Sequence, residues 1–130
     1  MKKILIVDDE DIIRALVHAT LEREEIRIFE ASDGEDAWEI ICEDQPDLVL
    51  LDIGLPDVDG FELCNRTRAC PELDSVRIVM LTAYGSPEDR QRGLEAGADG
   101  YFAKPFSPVQ LLDRVRDIFA TVFSDSAAMS

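Results

Sequence analysis

Histidine is nearly missing from this chain: His18 is the only one in 130 residues. It lies alone in a helical pattern and is read as an ordinary surface or packing residue. Cysteine is also sparse. Cys42, Cys64 and Cys70 show no CxxC spacing. An odd count without a secretory leader suits reduced thiols of a cytoplasmic protein, in packing or surface positions. Basic residues are few, with 13 Lys and Arg against 28 Asp and Glu and a net charge of −15. That balance excludes nucleic-acid binding by the chain alone, because phosphate contacts need cations. It also disfavours docking on an anionic membrane, and it suits basic partners or a bound cation. The first apolar run, Ile4–Val7, is four residues long before Asp8-Asp9-Glu10. It is too short for a signal peptide or a membrane span. There is no GxxxxGK[ST] and no GxGxxG, so no nucleotide loop is expected.

What is present is a regular alternation. Hydrophobic residues make up 46% of the chain, enough for one folded domain with a core. Continuous apolar runs predict strands over 3–8, 26–31, 47–52, 76–82 and 99–103. Helical spacing predicts helices over 11–24, 34–44, 60–70, 87–96 and 108–123. The first of these places Ile12, Ile13, Leu16, Val17 and Leu21 on one face. Residues 54–59 read as loop. Pro46 and Pro71 stop helices, Ser86-Pro87 and Ser107-Pro108 open them, and Gly97 closes one. Residues 1–123 form the expected domain, and 124–130 a small polar C-terminal tail.

Five strands alternating with five helices predict an α/β domain with a parallel sheet. Apolar runs without alternation predict strands covered on both faces. Right-handed crossovers leave few strand orders, of which 2-1-3-4-5 puts strands 1 and 3 together at a switch point. Ligands in such sheets sit outside the carboxyl ends of the strands there. The residues ending the strands are therefore the candidates. Asp8 and Asp9 follow the first strand, Asp52 ends the third, Thr82 the fourth, and Lys104 follows the fifth.

A carboxylate at the end of a buried strand is costly unless something there uses it. Two such charges ~4 Å apart at an effective dielectric of ~20 repel by about 4 kcal/mol, so the cluster needs a cation. Hard oxygen donors, with neither His nor Cys in these loops, favour Mg²⁺, with Mn²⁺ as the second choice, over Zn²⁺. Mg²⁺ commonly bridges carboxylates and a phosphate, and Lys104 and Thr82 would take the remaining phosphoryl oxygens. A carboxylate can itself be the phosphoryl acceptor, and Asp52 is the central one. Each residue also has a plainer reading: Asp8, Asp9 and Asp11 as helix caps, Thr82 as a strand residue, Lys104 as a surface lysine, and Tyr101 and Trp38 as core.

Four segments together, Val7-Asp8-Asp9-Glu10, Asp52 through Gly60, Leu81-Thr82-Ala83 and Lys104-Pro105-Phe106, resemble the receiver domain of two-component response regulators, over roughly residues 3–121. The resemblance implies a flavodoxin-like doubly wound fold and a phosphorylatable switch, not an enzyme turning over external substrates. It implies Asp52 as phosphoacceptor. Asp9, Asp52 and the Gly54 carbonyl become Mg²⁺ ligands, with Asp8 acting through water. Thr82 and Lys104 become the phosphoryl contacts, Thr82 and Tyr101 the switch pair, and Lys104-Pro105 a cis peptide. The implied donor is a sensor histidine kinase or histidine phosphotransfer protein. The implied output face is helix 87–96, strand 99–103 and helix 108–123.

The chain departs from the family pattern at several positions. Gly54 stands where a larger side chain is frequent and Tyr84 two residues past Thr82, an arrangement expected to open the pocket on one side and partly cover it on the other. Gly100 and Gln110 stand where acids are usual on the output face of regulators that dimerise on phosphorylation, so such a homodimer is left open. Seven residues follow Phe123, from which no effector domain is expected within this chain; it is a stand-alone receiver or one cut from a longer protein. The alternative is a pseudo-receiver, an interaction module without phosphorylation. An aspartate-based phosphatase would want an acid at position 54, and a flavin carrier a hydroxyl-rich loop in place of Asp8-Asp9-Glu10.

Overall fold

The computed structural model describes residues 2–82, 87–104 and 106–129, with the backbone alone at Thr82 and at 120–129. The elements follow in the order β1 Lys2–Val7, α1 Asp11–Leu21, β2 Ile26–Ala31, α2 Gly34–Asp44, β3 Leu48–Asp52, α3 Gly60–Ala69, β4 Arg77–Thr82, α4 Pro87–Ala96, β5 Gly100–Ala103 and α5 Pro108–Met129. A single 3-10 turn, Pro71–Leu73, links α3 to β4. All five strands are parallel, in the order β2-β1-β3-β4-β5. The predicted architecture is therefore the observed one.

The apolar runs are unbroken because each strand is covered twice. In β1, Leu5 and Val7 join one core with Ala37 and Ile41 of α2 and Leu63 and Cys64 of α3. Their neighbours Ile4 and Ile6 join the other, with Val17 and Leu21 of α1 and Leu111 and Val115 of α5. The same parity divides Val49 and Leu51 from Leu48 and Leu50, and Ile78 and Met80 from Val79 and Leu81. Two-residue strand periodicity feeding two cores removes any polar face from the central strands.

Several boundaries differ from the sequence reading. α1 stops at Leu21, where Glu22 turns extended at φ −63°, ψ 119°. The run Glu22-Arg23-Glu24-Glu25 offers no apolar side chain to bury, so the helix has nothing to hold it further. α5 runs on through Met129, past Phe123, in a segment free of Gly and Pro that need not break a helix. The α1 face is also narrower than predicted: Val17 and Leu21 are fully buried, but Ile12 is 81% and Leu16 40% exposed. Asp47 and Asp99 fall outside their strands. Their carboxylates instead accept the N–H groups of Lys3 and Ile78, each at 2.8 Å.

Strand register sets the site. Val7 is level with Leu51, Leu51 with Met80, and Met80 with Tyr101. The next residues, Asp8 and Asp52, thus leave adjacent strands at the same height, and Lys104 follows Ala103, which is level with Thr82.

Candidate phosphoacceptor site at the carboxyl edge of the sheet

Asp8 is fully buried and Asp52 is 8% exposed. The residue at the start of α1 is Glu10 and no side chain caps the helix, so Asp8, Asp9 and Asp11 are not its caps. The Asp8 carboxylate turns back instead, accepting the Glu10 N–H at 2.9 Å, while Arg14 donates to the Asp8 carbonyl at 2.7 Å. The helix-cap reading of these acids is thereby set aside. Lys104 reaches in from the end of β5. Its ammonium lies 2.6 Å from Asp8 Oδ2 and 3.6 Å from Asp52 Oδ1, and its side chain is 10% exposed. The Gly54 N–H donates to Asp52 Oδ1 at 3.4 Å.

The electrostatics are unbalanced. The Asp52 carboxyl is pushed above its ordinary value by burial first and by the Asp8 charge next, with Lys104 and the Gly54 N–H pulling the other way. Burial works against the Lys104 ammonium, but its hydrogen bond to Asp8 and the Asp52 and Asp8 charges win, raising its pKa. Lys104 therefore stays charged. Among the described residues it is the one cation within ion-pair distance of Asp8 and Asp52.

Carboxylate oxygens of Asp8, Asp9 and Glu10 lie within 4.8 Å of one another. Glu10 was not singled out as a ligand by sequence reasoning, although its place in the acidic run was visible. Hard oxygen donors without nitrogen or sulfur suit a divalent cation such as Mg²⁺. Asp52 adjoins this group through Lys104, whose ammonium touches both Asp8 and Asp52. Among the described residues a Cβ at Gly54 would meet nothing within 4 Å. At Gly60 a Cβ would come 2.8 Å from the Asp52 carbonyl oxygen. Only glycine lets the start of α3 pack this closely on the acceptor strand.

A second residue without an expected role is Asp57. Its carboxylate accepts the N–H groups of Gly34 at 2.8 Å and Glu35 at 3.0 Å, and those bonds hold its pKa below the ordinary value. Together with Asp33, which accepts the Asp36 N–H at 2.8 Å, it satisfies the first turn of α2. This ties the loop carrying Gly54 to a neighbouring helix.

Tyr101 is half-buried against the α2–α3 core, with the Arg90 guanidinium 5.1 Å from its ring centroid. Burial raises its pKa. Tyr84 and Pro105 lie outside the described residues, so the lid and cis-peptide expectations fall there, as does the side chain of Thr82. The backbone of Thr82 ends β4 beside Ala103. The sequence candidates Asp8, Asp9, Asp52, Gly54 and Lys104 are all brought to this one edge.

Comparison with known proteins agrees with this geometry. The model of the response regulator receiver domain matches residues 4–116. Transcriptional regulatory protein SrrA of Staphylococcus aureus (strain NCTC 8325 / PS 47) is 42% identical over 128 residues, covering 98% of this chain and 52% of SrrA. The chain thus spans about half the length of the curated relatives it matches. A putative response regulator from Chloroflexus aurantiacus J-10-fl superposes with a TM-score of 0.85 at 39% identity, covering 92% of this chain and 98% of the other. Chemotaxis protein CheY4 of Vibrio cholerae does so with a TM-score of 0.84 at 34% identity, covering 91% and 98%. The chain belongs to the receiver-domain family of two-component response regulators.

Proposed function

We propose that this chain is a Mg²⁺-dependent receiver that accepts a phosphoryl group on Asp52 from a phosphohistidine and relays the change to an output partner. The observation that supports it best is the strand-end constellation: a buried Asp52 that burial and Asp8 make more basic, beside a protonated Lys104. A carboxylate oxygen of Asp52 attacks phosphorus as the P–N bond to the donor imidazole breaks. The imidazole keeps the electron pair, and Asp52 carries an acyl phosphate. Lys104 holds its proton throughout and neutralises a phosphoryl oxygen. Asp9, Asp52 and the Gly54 carbonyl, with Asp8 through water, are the residues that would hold Mg²⁺. When bound, the ion would offset the acidic charge and polarise the phosphoryl group. The Gly54 N–H and the Asp57-held loop keep the Asp52 carboxylate oriented.

Thr82 and Tyr101 would carry the signal, the hydroxyl moving toward the phosphoryl group and the ring turning inward behind it. The output face would be α4, β5 and α5. A cleft of about 270 Å³ lies there, lined by residues that include Met80, Arg90, Leu94, Tyr101 and Arg114, and Leu94 is 56% exposed. The donor would be a sensor histidine kinase or histidine phosphotransfer protein, and the output a protein or domain engaged through that face. Residues 1–123 would be the receiver unit, working in the cytoplasm as a switch and not as an enzyme on external substrates. None of its described helices is long and apolar enough to cross a membrane.

Intact-mass spectrometry after incubation with acetyl phosphate tests the reading. One phosphoryl adduct requiring both Mg²⁺ and Asp52, and lost in Asp52→Asn, is the expected result. No adduct under any condition would replace it with a non-phosphorylated interaction module.

A further inference from the structure

Helices α2 and α3 pack side by side on one face of the sheet, with Trp38 of α2 under the Arg66 guanidinium of α3, 5.9 Å from ring centroid to guanidinium carbon. Glu35, on the same stripe, pairs with Arg66 at 3.4 Å. Both helices return antiparallel to the strands, so equal steps along them stay level. One turn beyond Trp38 is Cys42, and one turn beyond Arg66 is Cys70. Both are free thiols, Cys42 exposed and Cys70 half-buried. The cap of α3 fixes the backbone at Cys70: its N–H donates to the Thr67 carbonyl at 3.2 Å, and its own carbonyl accepts the Leu73 N–H at 2.9 Å. Burial first, and the charge of a Cys70 thiolate next, push the Cys42 pKa up, ahead of Glu43 and Glu72.

We propose that Cys42 and Cys70 form a reversible disulfide clamping the C-terminal ends of α2 and α3, made by exchange with a small-molecule disulfide. The Cys42 thiolate, being the exposed one, attacks a sulfur of the small disulfide. A mixed disulfide forms, and the first small thiol leaves with the proton that Cys42 released. The Cys70 thiolate then attacks the Cys42 sulfur, and the second small thiol leaves. Two protein thiols are oxidised, and one small disulfide is reduced to two thiols. Glu39, Glu43 and Glu72 surround the pair in sequence and charge the locality negatively, so a cationic disulfide is favoured over an anionic one. Cys64 is fully buried, and burial pushes its pKa to about 11; it serves as an internal control. The clamp lies at the opposite end of the helices from Asp52, and it does not rest on the phosphoacceptor reading.

The experiment treats the full chain with cystamine, blocks remaining thiols with iodoacetamide, and reads intact mass. Trypsin and a glutamate-specific protease together then separate the three cysteines for mapping. The expected product is a monomer lighter than the reduced chain by two hydrogens before blocking, with Cys42 joined to Cys70 and the bond reversed by dithiothreitol. Cys42→Ser and Cys70→Ser each abolish the link. Cys70→Ser halts at a stable mixed disulfide of Cys42 with cysteamine, and Cys64→Ser leaves the link intact. Separate persistent adducts on Cys42 and Cys70, a link between two chains, a link through Cys64, or no reaction would each overturn the proposal.

Discussion

The two edges of the parallel sheet handle charge in different ways. At the amino edge Arg68 donates to the carbonyls of Gly97 at 2.9 Å, Val76 at 2.7 Å and Leu73 at 3.4 Å, and to Asp99 at 2.8 Å. Asp99 in turn receives the Ile78 N–H and lies 3.5 Å from Arg77. Asp47 accepts the Lys3 N–H and lies 3.8 Å from the Lys2 ammonium. Each carboxylate there has a donor supplied by the fold. At the carboxyl edge Asp8 and Asp52 share the ammonium of Lys104, the one cation within ion-pair distance of them among the described residues, and Asp9 and Glu10 lie beside Asp8. A structural charge cluster closes on itself, whereas this one carries an excess of negative charge. That contrast separates a structural staple from a candidate site better than burial or residue type, since both edges hold partly buried carboxylates.

The sharpest way to break the comparison is at the staple. Arg68→Ala should lower stability by about 2–3 kcal/mol, because it strips Asp99 and three carbonyls of a charged donor, seen as a lower urea midpoint. Phosphorylation of Asp52 by acetyl phosphate should persist in the folded fraction. Divalent cation should act only at the other edge. At one hundred times its dissociation constant Mg²⁺ should add about 2.7 kcal/mol, read as a higher Tm that EDTA reverses. Asp9→Asn should blunt that gain, and Arg68→Ala should leave it intact.

Glycine offers a matched pair. Gly97 closes α4 at φ +99°, and a Cβ there would meet Arg68 Cγ at 2.5 Å. Gly97→Ala should cost about 1–2 kcal/mol of backbone strain in thermal unfolding, with little effect on phosphorylation. Gly60→Ala presses on the Asp52 carbonyl and should slow phosphorylation more than it lowers Tm.

The smallest effect concerns pH. The folded-state pKa of Asp52 is raised from its ordinary value near 3.8, so the folded chain binds more protons there than the unfolded one. Stability at this group is highest below the unfolded value and falls as pH rises through the folded value. Metal-free Asp52→Asn should therefore unfold at a higher temperature than wild type near neutral pH. The gap should narrow as pH falls back through the acid range, as calorimetry without Mg²⁺ would show. A gap independent of pH would mean that Asp52 carries no electrostatic strain.

Much of this was legible in the chain. Ile4–Val7 and Leu48–Leu51 read as doubly covered strands because burial on two faces leaves no polar alternation. With parallel strands the acids that follow them must share an edge. Less legible were features made between distant segments. Asp57 satisfies Gly34 across 23 residues and Arg68 reaches Asp99 across 31, and no local pattern marks either. Ile12 and Leu16 carry the helical spacing of a core face but lie at its rim, because α5 and the sheet cover a narrower stripe than the periodicity suggests. The extension of α5 past Phe123 escaped notice for the opposite reason: small polar residues permit a helix without calling for one.

By itself the sequence determined the kind and order of the elements and which side chains end the strands, since periodicity and strand-end placement are local properties of the chain. The tertiary structure alone decided the rest. It set the register that levels Asp8 with Asp52 and the reach that puts Lys104 between them. It also decided the pairing that gives Asp47 and Asp99 cationic partners at one edge and leaves the other edge short of positive charge. Those depend on distances across the fold, where Coulomb energy and hydrogen-bond geometry change steeply over an ångström and sequence separation carries no information.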